Sequence, residues 1–282
     1  MKLYQLGLYE KSMPGFLGIP QKLKETGESG FDYLELSIDE TDEKLSRLDW
    51  DTAEIKKLNN CIDDYGVPIK SICLSGHRRF PLGDPDPQTR GRSMEIMEKA
   101  IILSSRLGAA IIQLAGYDVY YKPSAAETQK WFAQNLELCV RLAAREGIIL
   151  AFETMETPFI NTVEKAMAWV RKCNSPYLQV YPDIGNITNA CLEYSINPGD
   201  DLKSGAGHIA ALHLKESKPG IYREVPYGQG HVNFGDAIET AWKLGTRLFV
   251  AEFWYGGNQQ SWQNQLRENN KFLRKFLDDA SR

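Results

Sequence analysis

Eight short apolar runs rich in β-forming residues recur along the chain, each followed by a loop with Gly, Pro, Asp or Ser and then by a helix-periodic segment. The runs are "LYQLGLY" (3–9), "YLELSI" (33–38), "IKSICLS" (69–75), "AAIIQLAG" (109–116), "IILAFET" (148–154), "YLQVYPDI" (177–184), "IAALHLKE" (209–216) and "RLFVAEFW" (247–254). Between them, "TAEIKKLNNCIDDYG", "RSMEIMEKAIILSSRLG", "TQKWFAQNLELCVRLAAREG" and "TVEKAMAWVRKC" carry apolar residues at helical spacing. Gly66, Gly108, Gly147 and Gly245 follow the last periodic residue of their segments, where helix stops belong. Eight such units, with no composition break and no long linker, predict an α/β chain folded as one (β/α)8 TIM barrel over residues 1–282. An open doubly wound sheet would more often carry a glycine-rich phosphate loop after its first strand. The loop here reads "YEKSMPGFLG" and holds no such motif.

Composition narrows the partners. With 43% hydrophobic and 25% charged residues the chain is in the globular range, and 282 residues can bury a large core. A net charge of -4 argues against nucleic acid as a partner. No apolar run approaches the ~20 residues of a membrane-crossing helix, so no membrane partner is expected. The start "MKLYQLGLYE" lacks the apolar stretch and cleavage site of a signal peptide, which makes the expected location cytoplasmic. Cys61, Cys73, Cys139, Cys173 and Cys191 are dispersed and odd in number, and are read as buried free thiols.

In a barrel of this kind chemistry sits at the C-terminal ends of the strands. Four of those ends carry one candidate each: Glu153 on the fifth run, Asp183 on the sixth, His213 on the seventh and Glu252 on the eighth. Adjacent strands lie about 4.8 Å apart, so four such side chains can converge on one ion. A lone strand-end histidine is often a satisfied core residue, and any one carboxylate could pair with a nearby cation. Three carboxylates buried together, however, demand a positive partner. An oxygen-rich set with one imidazole suits a single divalent ion such as Mn²⁺, Zn²⁺, Co²⁺ or Mg²⁺.

The strings "FDYLELSIDETDEKLSRLDW", "SICLSGHRRFPLGD", "IIQLAGYDVYY", "LQVYPDIGNITN", "HIAALHLKESKPG" and "VPYGQGHVNF" resemble the L-ribulose-5-phosphate 3-epimerases, also called L-xylulose-5-phosphate 3-epimerases, of pentose and ascorbate catabolism. These belong to the xylose-isomerase-like barrel superfamily. The resemblance runs over nearly the whole chain and implies the same four metal ligands, Glu153, Asp183, His213 and Glu252. It further implies a small phosphorylated ketopentose as substrate, inverted at C3, and a homodimer. Such a reaction needs the negative charge of an enediolate stabilised, which a divalent Lewis acid can do. It also needs a proton removed from one face and returned on the other, for which Glu153 and Glu252 are the expected pair.

Other roles are expected, those of Asn186 and Arg223 by the same resemblance and the rest from the residues themselves. Related epimerases of unphosphorylated sugars place a substrate-contacting histidine three positions after the sixth-strand aspartate; Asn186 stands there in this chain. Arg223 in "IYREVPYGQG" matches a substrate-contacting arginine after the seventh strand. In "SGHRRF", His77, Arg78 and Arg79 lie at the third strand's mouth, and this cluster with Lys218 is expected to grip a phosphate. Glu35 is expected to bond a substrate hydroxyl or hold an arginine. His208, at the start of the seventh run, is read as structural, and His231 receives no role. Competing readings are an inosose dehydratase or another sugar isomerase of the superfamily, and an inactive sugar-binding barrel. A sugar isomerase would usually want a second metal, which four histidines hardly supply, and a barrel endonuclease would want more histidines and a basic face. Two intact carboxylates argue against mere binding.

Overall fold

The computed structural model describes residues 3–257 and 261–282. Among the described residues, eight strands form one parallel sheet: β1 (Gln5–Tyr9), β2 (Tyr33–Ile38), β3 (Ile69–Leu74), β4 (Ile111–Ala115), β5 (Ile149–Glu153), β6 (Leu178–Tyr181), β7 (Leu212–Leu214) and β8 (Leu248–Ala251). The helices are α1 (Ile19–Glu28), a short α2 (Asp42–Leu45), α3 (Thr52–Tyr65), α4 (Pro87–Leu107) and α5 (Ala126–Glu146). They continue with α6 (Val163–Cys173), α7 (Ile184–Tyr194), α8 (Pro198–Ser204), α9 (Phe234–Lys243) and α10 (Trp262–Ala280).

The strands pair in the order β6-β5-β4-β3-β2-β1-β8-β7. Single parallel bridges, Val180 to Ile209 and Asp183 to His213, join β6 to the β7 segment and nearly close the cylinder. The chain is therefore the (β/α)8 barrel that its eight-fold alternation predicts. The seventh and eighth runs form shorter strands than their apolar lengths suggest. Ile209 makes only a bridge, and the chain beyond Leu214 and Ala251 turns into the loops of the mouth. Helix ends follow the glycine signals, with Gly66, Gly108 and Gly147 in the left-handed region at φ +62°, +70° and +70°.

Two apolar layers hold the barrel. Outside the sheet, one continuous core joins strand residues such as Leu6, Ile72 and Phe152 to helix residues such as Leu23, Leu136 and Leu273. Inside, Tyr9, Tyr33, Cys73, Ile111, Ala151, Tyr181, Ala211 and Val250 fill the cylinder. The strands' alternation sends successive side chains to these two layers, so inward residues near the C-terminal ends face the mouth. Among the described residues no helix is long and apolar enough to cross a membrane. The five cysteines are free, as expected, but only Cys73, Cys139 and Cys191 are buried; Cys61 and Cys173 are half-buried.

Candidate active site

Glu153 is the last residue of β5, His213 the middle of β7, and Glu252 the residue after β8. Asp183 follows β6 and caps α7, its Oδ1 accepting the Asn186 N–H at 2.8 Å. One potential ligand atom from each of these four residues lies within 4.8 Å of the other three, and all four residues are buried.

Glu35, on β2, reaches across the barrel to His213, with Oε1 2.6 Å from Nε2. Its other oxygen accepts hydrogen bonds from Ser71 Oγ (2.6 Å) and Tyr181 Oη (2.8 Å). Glu35 so placed holds Nε2 and turns the other ring nitrogen, Nδ1, toward Glu252 and Glu153, at 2.6 and 3.6 Å. Glu35 therefore holds a histidine, where the sequence suggested a substrate hydroxyl or an arginine; it is fully buried below the cluster.

Electrostatics at the site are dominated by the crowding of carboxylates. Burial raises the Glu153 carboxyl above its usual range, and the charge of Glu252 adds to the rise. Asp183 is pushed up to about 8 by burial, with Glu252 and Glu153 adding and Lys215 opposing. Burial would raise Glu252 too, but the charges of Lys215 and His213 outweigh it and hold its carboxyl low. Burial lowers His213, yet Glu35 and Glu252 together drive it well above 6.5. Asp183 Oδ2 lies 2.6 Å from Lys215 Nζ, and Glu252 Oε2 lies 2.6 Å from His213 Nδ1. These contacts pair charge, and neither oxygen has a further hydrogen-bond donor among the described residues. Two such buried carboxylate oxygens, beside a third carboxylate and an imidazole nitrogen that gives up its proton to a metal, fit one divalent cation.

The cluster opens upward into a cavity lined by Tyr9, Lys11, Cys73, Ser75, Arg78, Met155, Glu156, Asn186, Lys215, Arg223 and Trp254 as well as Glu153 and Glu252. Arg78 stacks over Tyr120, 4.6 Å from guanidinium carbon to ring centroid, and its nearest carboxylate oxygen, on Glu40, is 4.0 Å away. Arg223 pairs with Glu156 at 2.9 Å, and Lys11 with Asp39 at 2.6 Å. Asn186 donates from Nδ2 to the Thr154 carbonyl at 2.7 Å and accepts from Lys215 at 2.8 Å.

Three of the four expected phosphate-gripping residues lie elsewhere. His77 is buried, its Nε2 is 3.1 Å from the Ser93 carbonyl, and burial lowers its pKa to about 4, so it offers no cation to the mouth. Lys218 is exposed on the β7 loop and does not line the cavity. Arg79 turns outward to Asp42. His208 sits at the far end of the β7 segment, its Nδ1 3.1 Å from Gln179 Oε1. His231 lines a second cavity, of about 320 Å³ between α7, α8 and α9, which includes none of the four clustered residues. Residues that the sequence reading left unassigned are Lys11, Glu156, Trp254 and, at the centre, Lys215. For Lys215 the signal was present: it stands two residues after His213, the spacing that puts both on one side of a strand.

The chain matches the sequence profile of the family described as "Xylose isomerase-like TIM barrel" over residues 23–276. It is 41% identical over 254 residues to L-ribulose-5-phosphate 3-epimerase UlaE of Shigella boydii serotype 18, covering 90% of this chain and 88% of that protein. The same identity and coverage hold for L-ribulose-5-phosphate 3-epimerase UlaE of Escherichia coli strain SE11. Among solved structures, D-psicose 3-epimerase with D-tagatose, from Clostridium cellulolyticum H10, superposes with a TM-score of 0.80 over 97% of this chain and 99% of that one. It is only 15% identical in sequence, so its likeness is one of fold.

Proposed function

The chain belongs to the L-ribulose-5-phosphate 3-epimerase family of xylose isomerase-like TIM barrels and is an isomerase, and on that premise we propose that it interconverts L-xylulose 5-phosphate and L-ribulose 5-phosphate by moving the C3 proton between Glu153 and Glu252. The observation that carries this reading is the convergence of Glu153, Asp183, His213 and Glu252 within 4.8 Å at the barrel mouth. These four residues would hold one divalent ion, Mn²⁺, Zn²⁺, Co²⁺ or Mg²⁺, as an oxygen-rich donor set prefers. Bound there, the ion supplies Lewis-acid stabilisation of the negative charge that develops on the two oxygens flanking the reacting carbon–carbon bond.

The residues themselves do the proton chemistry. Glu153 and Glu252 reach the mouth from β5 and β8, with Asp183 and His213 from the intervening strands between them. A ketose bound between the two carboxylates loses its C3 proton to one and receives a proton at the other face from its partner. Asp183 and His213 keep position, Asp183 through its cap on α7 and His213 through Glu35. Of the residues expected to grip phosphate, Arg78 keeps the part, joined by Lys11 and Arg223, since these three cations line the cavity. Asn186 is taken to read a substrate hydroxyl near the α7 end. The active unit is a single barrel domain in a cytoplasmic homodimer.

The test is incubation with L-xylulose 5-phosphate in D₂O, with and without chelator, following deuterium by NMR. Deuterium at C3 and growing L-ribulose 5-phosphate are expected from the metal-loaded protein, and both disappear with chelator. Absence of C3 exchange overturns the epimerase reading. Equal exchange rates with the unphosphorylated sugar overturn the phosphate assignment.

A further inference from the structure

Lys215 is a buried cation in contact with the cluster to which the scheme above gives no part. It follows β7 directly, is 4% exposed, and lines the cavity beside Glu153 and Glu252. Its ammonium carries three N–H donors. One points to Asn186 Oδ1 at 2.8 Å, and a second is taken up at most by the ion pair with Asp183 Oδ2 at 2.6 Å. The third has no acceptor among the described residues. Trp254, whose ring centroid lies 5.9 Å from Nζ, lines the same cavity.

The ammonium is also fixed in place. Asp183 is tied to the first turn of α7 through the Asn186 N–H, and Asn186 is tied to the Thr154 carbonyl, so both acceptors have their orientation set by backbone. Gly185, between them, lets the β7 segment come close: a Cβ there would stand 3.0 Å from the Lys215 carbonyl oxygen and 3.2 Å from its Cε. A structural ion pair would need only Asp183. A lysine clamped by two acceptors on a glycine-relieved helix start, with a donor left over toward the cavity, is built to present charge to something inside it.

Resting on the epimerase reading, we propose that Lys215 is a further catalytic residue, donating its uncommitted N–H to the ketose oxygen that gains negative charge as the C3 proton leaves. In that step the C3–H bond breaks, its proton goes to a glutamate carboxylate and its electron pair moves toward the C2 oxygen. The reverse movement returns a proton to C3. No bond to Lys215 forms or breaks, and the lysine keeps its proton throughout. Because the donor is in place before the charge develops, it favours the transition state over the bound ketose.

Lys215→Met tests this, with three readouts on the purified metal-loaded protein. The expected result is a loss of about 10²-fold in kcat with KM changed less than about fivefold, the loss typical of one preorganised donor. Mn²⁺ stoichiometry by calorimetry stays at that of the wild type. The isotope effect on kcat with C3-deuterated substrate is expected to stay at or rise above the wild-type value, since proton removal becomes the harder step. In Lys215→Ala, added ethylammonium restores part of kcat and Lys215→Arg retains more activity than Met. Unchanged kcat, or a loss of kcat that follows lost Mn²⁺ binding, overturns the proposal. Should Lys215→Met not fold by circular dichroism, Lys215→Gln, which keeps a polar group beside Asn186, decides: kcat is expected to fall about 10²-fold at unchanged Mn²⁺ stoichiometry and little-changed KM, and unchanged kcat overturns the proposal. Lack of C3 exchange by the wild type overturns this inference together with the epimerase reading, whereas exchange that persists undiminished in Lys215→Met overturns the inference alone.

Discussion

Two buried charge clusters sit at the rim of this barrel, and they are built in opposite ways. Just beyond β1, Glu10 is fully buried and surrounded by cations: Lys22 at 3.0 Å, Lys44 at 2.5 Å and Arg47 at 2.6 and 2.9 Å, with the Ser37 N–H at 2.9 Å. Burial alone would raise this carboxyl, but Arg47 first and then the lysines hold it far below the usual carboxylate range. Both of its oxygens are satisfied. Across the mouth, Glu153, Asp183 and Glu252 crowd together with His213, and among the described residues two of their oxygens have one cationic contact each and no further donor. The first cluster supplies all the donors its carboxylate can use, and ties the β1 loop to α1 and the α2 region. The second leaves acceptors open and keeps Asp183 near 8 by burial and like charge. Buried charge that is fully paired marks a staple, and buried charge left short of cations marks a place for something that arrives from outside.

Substitutions can break this contrast. Glu153→Gln and Glu252→Gln are each expected to lower kcat by about 10³-fold or more, as for loss of an acid or base. The thermal midpoint of the chelator-treated protein should hold or rise for Glu153→Gln, whose carboxyl is raised by burial and by Glu252, and fall for Glu252→Gln, whose carboxylate is paired with Lys215 and His213. Kinetics and calorimetry on the same preparations check both halves. Glu10→Gln should do the reverse: a destabilisation of about 3–5 kcal/mol, as for a broken buried pair, with kcat of the folded fraction reduced less than tenfold. A stable Glu10→Gln protein with ruined kcat would erase the distinction between staple and site.

His77 gives a third kind of buried titratable group, one kept neutral by burial, with a single backbone partner. Its folded-state pKa of about 4 lies below the ordinary 6.5, so the unfolded chain binds the proton more tightly. The stability it contributes is whole above pH 6.5 and is lost as pH falls toward 4, to a total of about 3 kcal/mol. Urea unfolding across that window should show the slope, and His77→Gln should flatten it. A slope that is unchanged by the substitution would contradict the buried placement. The mildest effect is expected at Glu35→Gln, which leaves the ligands in place but loosens the orientation of His213. Mn²⁺ affinity, measured by titration, should weaken about 10- to 100-fold. Unaltered affinity would mean that Glu35 does not orient the imidazole toward an ion.

The barrel was legible because parallel strands buried on both faces read as continuous apolar runs, and glycines closed several of the helices. Glu153, Asp183, His213 and Glu252 were legible because one polar residue at each of four successive strand ends recurs at intervals of one βα unit. The surroundings were not. His77, Arg78 and Arg79 are adjacent in sequence, but the tight 3-10 turn Gly76–Arg78 sends them to a buried carbonyl, the cavity and the outer surface respectively. Sequence proximity says nothing about that divergence. Glu35 could be placed on an inward face by strand parity, whereas its partner on β7 lies across the cylinder and follows only from closure. Lys215 shares the parity of His213, and its significance comes from acceptors on α7 that no local pattern in the β7 segment reveals.

Anomalous X-ray scattering at the manganese edge, from crystals of the protein soaked in Mn²⁺, tests the contrast between the clusters most directly. One peak per chain is expected, bounded by Glu153, Asp183, His213 and Glu252, with none beside Glu10, and Asp183→Asn should remove it. An empty mouth in the soaked wild type, or a peak that survives Asp183→Asn undiminished, would contradict the account.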